Sequence, residues 1–497
     1  MAGRKPKGLF TILQTSFKEK KKSGVLLHPT SLFGDFGIGV LGKEACEFCD
    51  LLADSGFKIW QTLPFSPPDK YSSPYKSPSL FGLNPYLIDP VSLYDKGYIT
   101  KEELSSERAA ALLSDGLSHI KSSRLELLFL AASRAAKNPT LCSEIDSLLS
   151  EWPELSASAE FLTLAEENGG AWQSFTKFEP DPKRLFARKF IYYEFLEEWK
   201  AVKNYANSKG IEIIGDVPIY VDLNSADVYF NRKNFLLDGN GFPTLVAGVP
   251  PDYFSSTGQL WGNPIYDYRY MEADGFSFWK RRMEYAAKLF DGVRIDHFRG
   301  FEHFYAIDGN ATDARNGKWI KGPGRLLIDA IKPYTENKTV IAEDLGDITE
   351  EVNELRSYSS FLGTRVLQFA FFGDESSPHL PKNLTSDTAA YSGTHDNNTL
   401  FGYVSELDSV TRGRIFDYFG SRGASDKELC DTMIEALFKS KSSLVIFPIQ
   451  DLLHLGSFAR MNTPGTKDGN WTFRLRRGEF EKFDRKKYAD LNTIYGR

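Results

Sequence analysis

Short apolar or β-branched runs recur along the chain with helical stretches between them: GVLLHP (24–29), FKIWQTLP (57–64), IEIIGDVPIYV (211–221), DGVRIDHF (291–298), TVIAEDLG (339–346), TRVLQFAF (364–371), AAYSGTHD (389–396) and SSLVIFPIQD (442–451). Eight strands alternating with helices predict a parallel sheet closed into an α/β architecture, the (β/α)8 TIM barrel. One interval breaks the rhythm, because residues 65–210 separate the second and third runs. Its later part is charged and rich in Ala, Leu and Glu (SSRLELLFLAASRAAK, RLFARKFIYYEFLEEWKAVKNYANSKG), which reads as helix. A largely helical insertion subdomain over about 92–205 is expected, with the catalytic barrel over 24–497 and no separate C-terminal β domain.

In a parallel barrel the chemistry stands at the carboxyl ends of the strands. Reading those ends gives Asp216, Arg294, Asp296, Glu343, Asp344, His395 and Asp396, a polar cluster at one mouth. Period-2 alternation puts Arg294 and Asp296 on one face and Val293, Ile295 and His297 on the other. A guanidinium then lies one layer beneath the Asp296 carboxylate and favours its ionised form. Glu343 ends the next strand after the apolar VIA, with no basic neighbour in sequence. Burial and the Asp296 charge both favour its acid form. One carboxylate kept charged and one kept protonated is what a retaining glycosidic-bond enzyme requires.

Composition narrows the partners. The 497 residues carry a net charge of −6, so no nucleic acid and no membrane surface is expected to attract the chain as a whole. No run of about 18 apolar residues occurs, so no span is predicted. Aromatic residues reach 14%, a surplus compatible with stacking on the flat apolar faces of sugars. Four cysteines do not make a disulfide framework, and the CxxC of Cys46 and Cys49 lies in an amphipathic helical pattern, so reduced thiols in a cytoplasmic protein are expected. The basic arm, residues 1–23, reads as a solvated tail, with a transit peptide or a membrane-surface arm as the alternatives. GIGVLG (37–42) matches GxGxxG but lacks the acidic strand end about 20 residues on, and it reads as a structural glycine loop.

GVRIDHFRG, AEDLG and SGTHDNNT, in this order, resemble the α-amylase superfamily and more closely the 4-α-glucanotransferases known as amylomaltase or disproportionating enzyme. The likeness extends to LLHPTSL, SPYKS, NPYLIDP, GDVPIYV, PDYFSSTGQLWGNPIYD, FPIQD and ARMNTPGT, and covers roughly residues 24–475. The resemblance implies Asp296 as nucleophile, Glu343 as acid and base, and Asp396 as transition-state stabiliser. It implies substrate contacts from Tyr75, Asp216, Arg294, His395, Tyr253, Trp261 and Asn263, and a lid loop over residues 247–264. It also implies no cofactor and no metal, a monomer or homodimer, and maltooligosaccharides or starch-type α-glucans as donor and acceptor. Lys382, Ser377 and Pro78 depart from residues common in the family, which bears on the preferred glucan length. A hydrolase of the same fold and an inactive carbohydrate-binding relative are the rival readings.

Overall fold

A computed structural model describes residues 21–113, 117–251 and 255–497. Eight parallel strands close a barrel: β1 (Lys22–Leu26), β2 (Ile59–Gln61), β3 (Glu212–Val217), β4 (Gly292–Ile295), β5 (Val340–Ala342), β6 (Leu362–Val366), β7 (Thr388–Tyr391) and β8 (Leu444–Pro448), with β8 pairing back onto β1. Each lies within one of the eight runs, or overlaps it but for one or two residues. The buried β4, β7 and β8 are buried at every position, as strands wrapped by helices outside and packed inside must be.

Register sets the site. Asp216 of β3 lies opposite Arg294 of β4, and Ile295 opposite Ala342 of β5. Asp296 and Glu343 each follow that last pair by one residue, and the Glu343 N–H donates to the Ile295 carbonyl at 3.0 Å. The two acids therefore leave adjacent strands side by side, about 4.8 Å apart at the backbone.

Between β2 and β3 the chain runs through helices from Pro90–Asp95 to Pro182–Ser208. Several begin on an Asx-Pro signal. Asp89, Asn138 and Asp181 cap the first backbone N–H groups, and the prolines at 90, 139 and 182 fill the first helical position, where no donor is needed. After β8 the described residues form helices but no strand. In the GIGVLG loop a Cβ on Gly42 would meet the Asp89 carboxylate at 2.4 Å, so the chain's own acid lies where a pyrophosphate would need to approach.

The segment expected as a lid loop, 247–264, lies in a strand hairpin, half of its residues being strand. Leu245–Val249 and Gln259–Pro264 form a hairpin, and a four-stranded sheet runs in the order Gln259–Pro264, Leu245–Val249, His303–Asp308, Lys318–Lys321. Gly258, directly before the second hairpin strand, sits at φ 67°, where a Cβ would meet the Val249 carbonyl at 2.4 Å. Tyr253, expected to face the cleft, lies outside the described residues.

Candidate active site

Arg294 is the pivot of the mouth. Its guanidinium reaches Asp216 Oδ2 at 2.6 Å and Asp296 Oδ1 at 3.0 Å, the arrangement that strand alternation implied. Burial by itself would lower its pKa, but the charges of Asp216 and Asp296 hold it well above the ordinary arginine value. Burial raises the pKa of Asp216 despite that partner. The Tyr75 hydroxyl donates to the same Asp216 oxygen at 2.8 Å.

Glu343 sits beside this pair in a different environment. Burial pushes its pKa up to about 8 from 4.5; the Arg294 charge opposes the rise and the Asp296 charge adds to it. The sequence offered no basic neighbour, yet the fold supplies one, and burial outweighs it. The backbone N–H of His297 donates to Glu343 Oε2 at 2.8 Å and that of Leu345 to Oε1 at 3.2 Å. His297 adopts a left-handed conformation at φ 48°, which turns the chain directly after Asp296. Two carboxyl groups on adjacent strands thus sit in different environments, Asp296 paired to a guanidinium and Glu343 buried and held by backbone N–H groups.

Asp396 follows β7 and is only half-buried. Asn462 Nδ2 donates to its Oδ1 at 2.6 Å, His395 Nε2 lies 3.3 Å from Oδ2, and Arg460 grips its carbonyl at 2.7 Å. Asp451 braces the turn from below, accepting from Ser392 Oγ at 2.6 Å and from the Leu400 N–H at 2.7 Å. The His395 ring stacks on Tyr75, with centroids 5.1 Å apart and planes at 9°, and Trp471 closes on both at 5.8 and 5.9 Å.

The expected residues divide as follows. Tyr75, Asp216, Arg294, Asp296, Glu343, His395 and Asp396 are linked through these contacts. Trp261 joins them from the hairpin, its ring edge-on to His297 at 4.9 Å. Asn263 donates to the Val221 carbonyl at 2.8 Å and so ties the hairpin to the chain leaving β3. Asp344, grouped with the mouth on strand-end position alone, points away from it. It accepts from the Thr364 N–H at 2.6 Å and pairs with Arg365 at 3.1 Å and Arg356 at 3.4 Å. Two consecutive strand-end residues must face opposite sides, and Glu343 takes the inner one. Lys382 pairs with exposed Glu375 at 2.8 Å. Asn462, Arg460 and Trp471 were not singled out, although ARMNTPGT contains the first two.

A parallel barrel whose mouth holds one arginine-paired carboxylate, one buried acid whose pKa burial raises and a third acid beside a histidine fits a class: enzymes that break and remake glycosidic bonds. The chain belongs to the 4-alpha-glucanotransferase family, whose model matches residues 27–479. It is 40% identical to the chloroplastic/amyloplastic 4-alpha-glucanotransferase of Arabidopsis thaliana, over 97% of this chain and 86% of that one. It is 38% identical to the 4-alpha-glucanotransferase of Aquifex aeolicus, over 96% of this chain and 99% of that one. The fold is similar to an amylomaltase from Streptococcus agalactiae solved in complex with acarbose, with a TM-score of 0.91 at 33% identity, over 96% of this chain and 100% of that one. The activity is that of a glycosyltransferase acting on α-1,4-glucans. Among the described residues no helix is long and apolar enough to cross a membrane.

Proposed function

We propose that the chain transfers a segment of an α-1,4-glucan by double displacement with retention, through a covalent glycosyl-enzyme on Asp296. In the first step an Asp296 oxygen attacks the anomeric carbon while Glu343 gives its proton to the departing 4-oxygen. In the second, Glu343 takes the proton of the acceptor's 4-hydroxyl as that oxygen displaces Asp296 from the same carbon. The proton returns to Glu343 and the glycosidic bond is re-formed on the new chain. Asp396, held by Asn462 and His395, stabilises the positive charge that develops on the sugar ring. Tyr75, Asp216, Arg294 and His395 position the reacting sugar, Trp261 stacks on a glucose face from the hairpin, and Asn263 holds that hairpin at the cleft.

The observation that carries this reading is the contrast between two register-matched acids, Asp296 paired to Arg294 at 3.0 Å and Glu343 pushed up to about 8 by burial. Transfer rather than hydrolysis follows from the four-stranded sheet beside the mouth, which limits the water that reaches the intermediate. The maltooligosaccharide or starch-type substrate is taken from the α-1,4-glucan chemistry of the family. A monomer or homodimer in the cytoplasm completes the reading, and the free Cys46, Cys49, Cys142 and Cys430 fit a reducing compartment.

The test is incubation with maltotriose alone, beside Asp296→Asn. A ladder of longer maltodextrins together with glucose, absent in the variant, is expected. Maltose and glucose with nothing longer would mean that water is the acceptor.

A further inference from the structure

The stretch GVRIDHFRG supplies more than Arg294 and Asp296. Its last residues form a turn, Phe298–Phe301, that leads into His303–Asp308, the strand at the root of the four-stranded sheet. That turn grips the acid twice, since the His297 N–H donates to the Glu343 carboxyl at 2.8 Å and the Phe298 N–H to the Glu343 carbonyl at 3.0 Å.

Both outer strands of the sheet deliver a tryptophan to this turn. Trp261, on Gln259–Pro264, packs edge-on to His297 at 4.9 Å. Trp319, on Lys318–Lys321, lies under Arg299, whose guanidinium carbon is 3.8 Å from the ring centroid. Arg299 is 4% exposed, and it also donates to the carbonyl of Asp347 in the loop leaving Glu343. One buried guanidinium thus touches the edge of the sheet and the loop that carries the acid. A left-handed histidine costs on the order of 1–3 kcal/mol and persists only where its surroundings over-determine it. Trp261 on one side, with Arg299 and Trp319 on the other, provide that determination.

We propose that Arg299 and Trp319 are positioning residues for Glu343: they tie the turn and loop that hold the acid to the four-stranded sheet beside the mouth, and so keep its carboxyl where proton transfer is efficient. The proposal rests on Glu343 being the acid and base. It assigns a use to a buried cation–π pair at the edge of the sheet. Because the same sheet limits water, the tie couples proton delivery to sugar acceptors and works against hydrolysis.

The experiment compares Trp319→Ala, Trp319→Phe, Arg299→Lys and Glu343→Gln with the parent, after melting curves establish that each is folded. Two donors are used: maltotriose, whose leaving 4-oxygen needs a proton, and α-maltosyl fluoride, whose fluoride leaves without one. With Trp319→Ala and Arg299→Lys, kcat on maltotriose falls on the order of 10- to 100-fold, as a misplacement near 1 Å costs. KM stays within about 3-fold, the share of glucose formed by hydrolysis rises, and the first fluoride release is nearly unchanged. Trp319→Phe, which keeps a ring face, recovers most of the loss. Parental kcat and product ratio in Trp319→Ala and Arg299→Lys would overturn the proposal. So would equal losses on both donors in those variants while Glu343→Gln spares fluoride release. If Glu343→Gln itself loses both donors equally, the acid assignment fails and the tie fails with it.

Discussion

Replacing Glu343 with glutamine is expected to abolish transfer and, above neutral pH, to stabilise the fold. The buried acid has a folded pKa of about 8 against an ordinary 4.5, and the interval corresponds to ~5 kcal/mol at about 1.4 kcal/mol per factor of ten. The sign follows from the direction of the shift. Below pH 4.5 the carboxyl is protonated in both folded and unfolded chains and contributes no pH dependence. As pH rises from 4.5 to about 8 the unfolded chain releases the proton and the folded chain keeps it, so stability falls across that window and levels off above it. Glutamine does not titrate, so the variant gains on the parent by ~3 kcal/mol at pH 7 and by up to ~5 kcal/mol above pH 8. A constant offset of about 1 kcal/mol in the other direction is expected, because the Leu345 N–H, 3.2 Å from Oε1, then meets an amide NH2. Urea denaturation of both proteins at intervals from pH 4.5 to 9 measures the difference. A gap that does not change with pH would refute the claim that burial keeps Glu343 protonated. The same proton sets the chemistry, so kcat/KM on maltotriose falls as pH passes about 8.

Arg294→Met leaves the buried Asp216 and the partly buried Asp296 at the mouth without the cation 2.6 and 3.0 Å away. A loss of about 3–5 kcal/mol in urea stability at pH 7 and of about 10³ in kcat/KM is expected, with the stability deficit shrinking as pH falls and Asp216, whose pKa burial already raises, takes up a proton. Asn462→Ala removes the 2.6 Å hydrogen bond to Asp396 and lowers kcat by about 10- to 100-fold at an unchanged melting temperature. Asp344→Asn, one residue from the acid but facing Arg356 and Arg365, costs about 2–3 kcal/mol in thermal unfolding and leaves kcat within about 3-fold of the parent, the reverse of Glu343→Gln.

The barrel was legible because each strand announces itself as a short apolar run between helical stretches, and the Arg294–Asp296 pairing was legible because alternation within one strand is local. The upward shift of the Glu343 pKa also followed from its apolar neighbours in sequence, although the opposing Arg294 charge comes only with the fold. The four-stranded sheet was not legible. QLWGNP has neither alternation nor β-branched residues, and Pro250 and Gly258 around it read as loop; it becomes a strand because Leu245–Val249 pairs with it. Asp344 was misplaced because strand ends were counted without asking which face each residue takes. Asn462 meets Asp396 across 66 residues of chain, Trp471 meets Tyr75 from the far end of the chain and Trp319 acts from an edge strand, and no local pattern marks which side chain they will meet.

The measurement that tests the central claim most directly is trapping of the glycosyl-enzyme with a 5-fluoro-α-glucosyl fluoride, followed by mass spectrometry of the intact protein and its peptides. The account predicts a stoichiometric adduct of one fluoroglucosyl unit on the peptide containing GVRIDHFRG, fixed to Asp296, released when maltose is added as acceptor and absent in Asp296→Asn. An active protein that forms no adduct, or one that carries it on another carboxylate, would contradict double displacement through Asp296.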